Sequence, residues 1–238
     1  MVEAGLGVIA PSRPGYGRSP VESGPTPPEA ADLMAALLDE MQVDSVVVYG
    51  ISGGGATALN FALRHPTRCK GCVTEVGCTG NWVHPMKADL LGAGHKFQVT
   101  SPLMAVVGRK LLKSNPAKVV ETMMYTSLHE PEEKKQLIEE IASDPKNVDM
   151  LLKAMKLQGG ASCYSNTWNG FQADIRGMEM VIDFKSITVP VLIVAGTHDG
   201  DVPIAQGQQA ADGIPGSEFL KVEKGWHLLC FHKDWPQI

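Results

Sequence analysis

Ser45-Val-Val-Val-Tyr-Gly-Ile-Ser-Gly-Gly-Gly55 decides how this chain is read. Ser45 to Tyr49 is β-branched and unbroken, which predicts a strand buried on both faces, as in a parallel sheet. It runs straight into Gly50-Ile51-Ser52-Gly53-Gly54, and a helix is predicted from about Gly53 to His65, stopped by Pro66. A G-x-S-x-G run between a strand and a helix is the pattern of a nucleophile elbow. The serine sits on a very sharp turn with strained backbone angles, and side chains two residues to either side would collide, which calls for Gly50 and Gly54. The pattern alone is weak, since 25 glycines and 13 serines placed at random give about 0.14 copies; its setting lifts it well above chance. The rival reading, a phosphate-binding loop, needs GxxxxGK followed by Ser or Thr, which is absent.

Outward from the elbow the chain alternates. Leu6 to Ala10 is a short apolar run ending at Pro11 and predicts a buried strand; the Gly- and Pro-dense stretch Pro11 to Pro20 must be a loop. Thr26-Pro-Pro-Glu29 is a capping box with Pro27 at the first helical position. The helix it opens places Leu33, Met34, Leu37, Leu38 and Met41 on one face. A further strand is predicted at about Gly71 to Val76. From about Thr79 to Phe184 no strand is convincing. Pro131-Glu-Glu opens one helix there, with acidic residues at the positive end of its dipole. Asp144-Pro145 caps another, with Val148, Leu151, Leu152 and Met155 on one face and Gly159 at its end. Alternation resumes with a strand at Val189 to Ala195, a helix over roughly Pro203 to Asp212 and a strand at Glu218 to Val222. The expected fold class is therefore α/β: a mostly parallel sheet with crossover helices, built from 1–78 and 187–238, and a helical cap inserted as 79–186.

A serine hydroxyl is a poor nucleophile near neutral pH and needs a base, usually a histidine steered by a carboxylate. Of the seven histidines, His227 fits best, following the final strand across Glu223-Lys-Gly-Trp226. Asp199 fits the acid, following the Val189–Ala195 strand across Gly196-Thr-His198, with Asp201 as its rival. Both lie just beyond the carboxyl ends of strands, where an open α/β sheet places its ligands. The other histidines read as structural.

Composition excludes several classes. Hydrophobic residues at 44% and charged residues at 20% suit a soluble globular protein and not a disordered chain. No run approaches the length of a membrane span, and a net charge of −5 without a Lys/Arg cluster argues against a nucleic-acid partner. Cys69, Cys72, Cys78, Cys163 and Cys230 are odd in number and read as reduced thiols, so the expected setting is cytoplasmic. Cys69-Lys-Gly-Cys72 lacks the second pair a zinc site needs, and neither metal nor cofactor is expected. The first seven residues carry neither the charged nor the apolar region of a signal peptide.

These motifs together resemble the α/β-hydrolase superfamily, in its esterase- and lipase-like serine branch. Val8-Ile-Ala-Pro-Ser-Arg-Pro-Gly-Tyr-Gly-Arg-Ser19 looks like the family's fourth strand and following loop, and Gly50 to Gly55 like its elbow. Val189 to Asp199 looks like its seventh strand and acid loop, and Gly225-Trp-His-Leu-Leu229 like its histidine loop. The resemblance implies Ser52 as nucleophile, His227 as general base and acid, Asp199 as the orienting carboxylate, and the Gly53 N–H as an oxyanion donor. A serine at the elbow argues against the dehalogenases and epoxide hydrolases, which use aspartate. The resemblance also implies three earlier strands and an HG-type oxyanion loop that this chain does not carry, so a fragment or truncated gene product is expected. Without those strands, Leu6–Ala10 and Ser45–Tyr49 must pair directly or leave backbone groups unpaired. The central block takes the place of the family's variable cap. It holds Met86, Met104, Met123, Met124, Met150, Met155, Met178 and Met180, which suit either helix packing or a lid for varied apolar acyl or alcohol groups. Trp82 and Trp168 read as packing residues. The expected activity is hydrolysis of a small or medium carboxylic ester. The alternatives are thioester, amide or carbon–carbon hydrolysis, or a non-catalytic scaffold of the same fold.

Overall fold

The computed structural model describes residues 5–158 and 164–234. Gly159, Cys163 and the last four residues lie outside them, as do the side chains of His95 and Met155. Four strands form one sheet in the order β1 (Val46–Ile51), β2 (Cys69–Glu75), β3 (Val191–Gly196), β4 (Glu218–Val222), every pairing parallel. The helices before β3 are α1 (Pro27–Glu40), α2 (Gly54–Arg64), α3 (Lys87–Leu90), α4 (Ala93–Thr100), α5 (Pro102–Ser114), α6 (Pro116–Met123), α7 (Pro131–Ser143), α8 (Pro145–Gln158) and α9 (Tyr164–Gly177). α10 (Ile204–Gly213) joins β3 to β4. The strands and helices expected from Gly53 to Val76 and from Val189 to Val222 are present within two residues at each end.

One face of the sheet is well covered. Val46 and Val48 of β1, Cys72 of β2, Val191 and Ile193 of β3 and Phe219 of β4 pack with α1, α2 and α10. α1 starts as expected: the Thr26 N–H donates to Glu29 Oε2 at 3.1 Å and its hydroxyl to the same oxygen at 2.6 Å. Its packing stripe differs from the expected one. Ala31, Ala35 and Leu38 are buried, while Met41 is 47% exposed. Small alanines on α1 meet Ala58, Leu59 and Ala62 of α2, and the close approach pushes the longer side chains to the flanks.

Two expectations fail at the N-terminal side, for one reason. Leu6 to Ala10 is not a strand; it runs unpaired with Leu6, Val8 and Ile9 exposed. β1 is buried on one face only, since Val47, Tyr49 and Ile51 are 62%, 41% and 52% exposed. A strand forms only against a neighbour. Among the described residues β1 has β2 on one side and none on the other, and Leu6–Ala10 does not take up that free edge, so neither segment gains the second neighbour that would bury it.

The helices α3 to α9 lie between β2 and β3, and two contacts tie them to the sheet's carboxyl ends. Leu112, Val119, Val120, Met124, Ile141 and Leu151 form an apolar cluster closed by Trp226, with Leu228 and Phe231 packed against it. A second cluster joins Ile175 and Met178 of the α9 region to Cys78 and Val202. Met124 and Met178 are thus buried packing residues, whereas Met150 and Met180 are exposed. Trp168 is buried and stacks on Phe171.

Candidate active site

Ser52 follows β1 directly and has φ of 51°, a left-handed conformation that a non-glycine residue adopts only under constraint. The constraint is visible in the backbone. The Ser52 N–H donates to Glu75 O at 3.0 Å, while the Cys78 and Gly55 N–H groups both donate to Ser52 O at 2.9 Å. The glycines around it are not equivalent. A Cβ on Gly50 would fall 2.6 Å from Gly54 O, and one on Gly55 would fall 2.9 Å from Cys78 O. A Cβ on Gly54 would meet nothing within 4 Å, so the steric demand expected there falls on Gly55 instead. Gly53 caps the N-terminus of α2.

His227 lies beyond β4 and Asp199 beyond β3, and the structure brings both to Ser52. His227 Nε2 is 2.9 Å from Ser52 Oγ, and His227 Nδ1 is 2.9 Å from Asp199 Oδ2. An ionised carboxylate only accepts, so Nδ1 carries the proton and Nε2 is left to accept from the serine hydroxyl. Asp199 is 1% exposed, and its second oxygen accepts the N–H groups of Asp201 at 2.8 Å and Val202 at 3.0 Å. Asp201 therefore serves its neighbour through its backbone, and its carboxylate is not the one on Nδ1. Burial disfavours the His227 imidazolium, but the hydrogen bond and charge of Asp199, with Asp201 and Glu75 behind them, outweigh it and raise its pKa above 6.5.

The other described histidines are held structurally or lie apart. His129 is buried between Ser127 and the Lys224 carbonyl, and its ring lies tilted at 42° to that of His198 with centroids 4.6 Å apart. His65 bonds Asp32, and His232 Nε2 bonds Glu223 O. Asp199, Asp201 and His227 are the one donor group among the described residues compact enough for a metal, with ligand atoms within 4.8 Å. Asp199 Oδ2 and His227 Nδ1 are already spent on each other. Cys69, Cys72, Cys78 and Cys230 are free thiols, and burial pushes Cys72 and Cys78 up to about 12.

Sequence reasoning missed two sets of residues. Glu75, ending β2, is buried; burial pushes its carboxyl above the ordinary range, with the nearby His227 charge pulling the other way. Arg13 grips Asp174 of α9 through both guanidinium ends, with one bond at 2.7 Å, and the Tyr16 hydroxyl donates to the same carboxylate. A Cβ on Gly53 would stand 3.4 Å from Asp174 Oδ2, so this ion pair abuts the elbow. Only the Arg13–Tyr16 loop had a signal, its Gly and Pro density; nothing local marks Asp174.

A family model described as the alpha/beta hydrolase fold matches residues 2–234. The chain belongs to the α/β-hydrolase fold family. Among curated relatives, the uncharacterized hydrolase YcgS of Bacillus subtilis (strain 168) is 26% identical over 238 residues, covering 98% of this chain and 80% of that one. The poly(3-hydroxyalkanoate) depolymerase of Ectopseudomonas oleovorans is 26% identical over 225 residues, covering 94% of this chain and 69% of that one. Among solved structures, an alpha/beta hydrolase fold protein from Nakamurella multipartita superposes with a TM-score of 0.79 at 28% identity, covering 94% of this chain and 77% of that one. Among the described residues of this α/β-hydrolase no helix is long and apolar enough to cross a membrane.

Proposed function

We propose that the chain is a serine hydrolase that cleaves a small or medium carboxylic ester through an acyl-enzyme on Ser52. The observation that carries this reading is the unbroken chain of 2.9 Å hydrogen bonds from Ser52 Oγ through His227 to the buried Asp199. Ser52 Oγ attacks the ester carbonyl carbon as His227 Nε2 takes the hydroxyl proton. The carbonyl oxygen becomes an oxyanion, which the Gly53 N–H at the positive end of α2 stabilises. Collapse breaks the ester C–O bond, and His227 returns the proton to the departing alcohol. Water then attacks the acyl-enzyme, giving its proton to His227, and the carboxylic acid leaves as Ser52 recovers its hydrogen. Asp199 stays ionised throughout and stabilises the imidazolium.

Membership of a hydrolase family and the depolymerase relative support ester chemistry as the first class to assay. The helical block, whose methionines adapt to irregular apolar shapes, suits a substrate with an apolar acyl or alcohol group. The test is labelling with a fluorophosphonate probe followed by peptide mass mapping. Ser52 is the expected adduct site, and Ser52→Ala is expected to abolish labelling and to cut ester turnover about 10⁴–10⁶-fold. Labelling that survives this substitution would refute the assignment.

A further inference from the structure

The Arg13–Asp174–Tyr16 cluster sits where a carboxylate ought to be harmful. Asp174 is delivered by α9, and its side chain is 18% exposed. Its Oδ2 stands 3.4 Å from where a Gly53 Cβ would be, which puts that oxygen within about 6 Å of the Gly53 nitrogen by standard covalent geometry. On the proposed mechanism that nitrogen faces a growing negative charge. An unpaired anion there would oppose the reaction. Arg13 answers it with a two-pronged grip, and Tyr16 adds a hydroxyl donor on the same carboxylate. The loop that carries them is fitted tightly: a Cβ on Gly15, at φ +83°, would come within 2.3 Å of the Gly170 Cα on α9. That backbone contact sets the Arg13 fork opposite Asp174.

We propose that Arg13 is an electrostatic positioning residue for the elbow: its guanidinium neutralises and holds the Asp174 carboxylate that α9 sets against Gly53, so that the oxyanion forms beside no uncompensated charge. This inference rests on the Ser52 reading above. Burial works against the Arg13 cation, but the charge and hydrogen bond of Asp174 overcome it, and the guanidinium stays charged. Burial and then Asp174 push the Tyr16 hydroxyl far upward, so it stays a donor. Arg13 thus keeps its charge and Tyr16 its donor hydrogen.

The experiment is a charge cycle read as kcat and KM on a nitrophenyl ester, with active sites titrated by the fluorophosphonate. Arg13→Met is expected to lower kcat about 20- to 100-fold with KM little changed, the effect of a bare unit charge some 6 to 9 Å from the oxyanion in a half-buried site. Asp174→Asn in that background is expected to restore kcat to within about 3-fold, and Arg13→Lys to retain most of it. Arg64→Met, which breaks an exposed ion pair with Asp32, is the neutral control. Should Arg13→Met alone fail to fold, Asp174→Asn still decides, since removing the anion while Arg13 keeps its charge should leave kcat at or above that of the unsubstituted protein. A double variant as slow as Arg13→Met, an Asp174→Asn with kcat well below that of the unsubstituted protein, an Arg13→Lys as slow as Arg13→Met, or an effect on KM alone would overturn the proposal. If the probe fails to label Ser52 in the unsubstituted protein, the site reading falls and takes this inference with it. A full Ser52 titre with the wrong ranking overturns the inference alone.

Discussion

Asp199 reaches the elbow through His227 and Asp174 abuts it at Gly53, and the two are held in opposite ways. Asp199 is fixed by its own loop: the N–H groups of Asp201 and Val202, two and three residues on, bind Oδ1 and leave Oδ2 for His227. Asp174 is fixed from afar, by Arg13 and Tyr16, 161 and 158 residues away. The first arrangement is local and reappears wherever the loop folds. The second exists only when α9 docks on the N-terminal loop. One aspartate is therefore part of the sheet's architecture, and the other reports whether the helical block is seated.

The sharpest break of this comparison is Asp199→Asn. The amide would favour the wrong imidazole tautomer, and kcat is expected to fall about 10⁴-fold with the fold intact by circular dichroism. Next in size is Gly170→Ala, which should unseat the distant arrangement alone. The new Cβ would stand 2.6 Å from Tyr16 Cε2 and 2.7 Å from the Gly15 carbonyl, and about 1–3 kcal/mol of stability should be lost in a denaturant titration. Asp201→Asn sharpens the local side. Its backbone N–H remains, so kcat should stay within about 3-fold of the unsubstituted protein. The removed charge should still lower the His227 pKa. The base must be neutral to act, so activity falls as pH drops through a value above 6.5, and Asp201→Asn should move that acid limb to lower pH. The same raised pKa means that the Asp199–His227 pair stabilises the fold fully below 6.5 and loses that contribution as pH rises through the folded value. The smallest effect is expected at Gly54→Ala, where open space receives the methyl group and stability should hold or rise by about 0.4–1 kcal/mol in thermal melts.

What sequence could say about this molecule divides along the same line. β1, α2 and the loops after β3 and β4 declare themselves through apolar runs, Gly and Pro punctuation and chain order, and these elements carry Ser52, Asp199 and His227. The expectation at Leu6–Ala10 failed because an apolar run specifies a strand only together with the strand it pairs with. The α1 stripe was misread because close helix packing selects alanine over leucine, and periodicity alone ranks them the other way. Gly54 was read as a steric necessity from its place in a pattern, whereas the contact that matters is between Gly55 and Cys78. Asp174 and Glu75 had no local signature at all, because their roles come from what other segments bring to them.

The backbone of the elbow has a consequence for exchange with solvent. The Ser52 N–H is bonded to Glu75 at the end of β2, and the Ser52 carbonyl is claimed twice, by Gly55 and Cys78. In deuterated water the Ser52 amide should surrender its proton only when β1 parts from β2. The side chain above it faces His227 and needs no such event. The residue whose amide is locked against β2 thus also carries the hydroxyl proposed as the first to react.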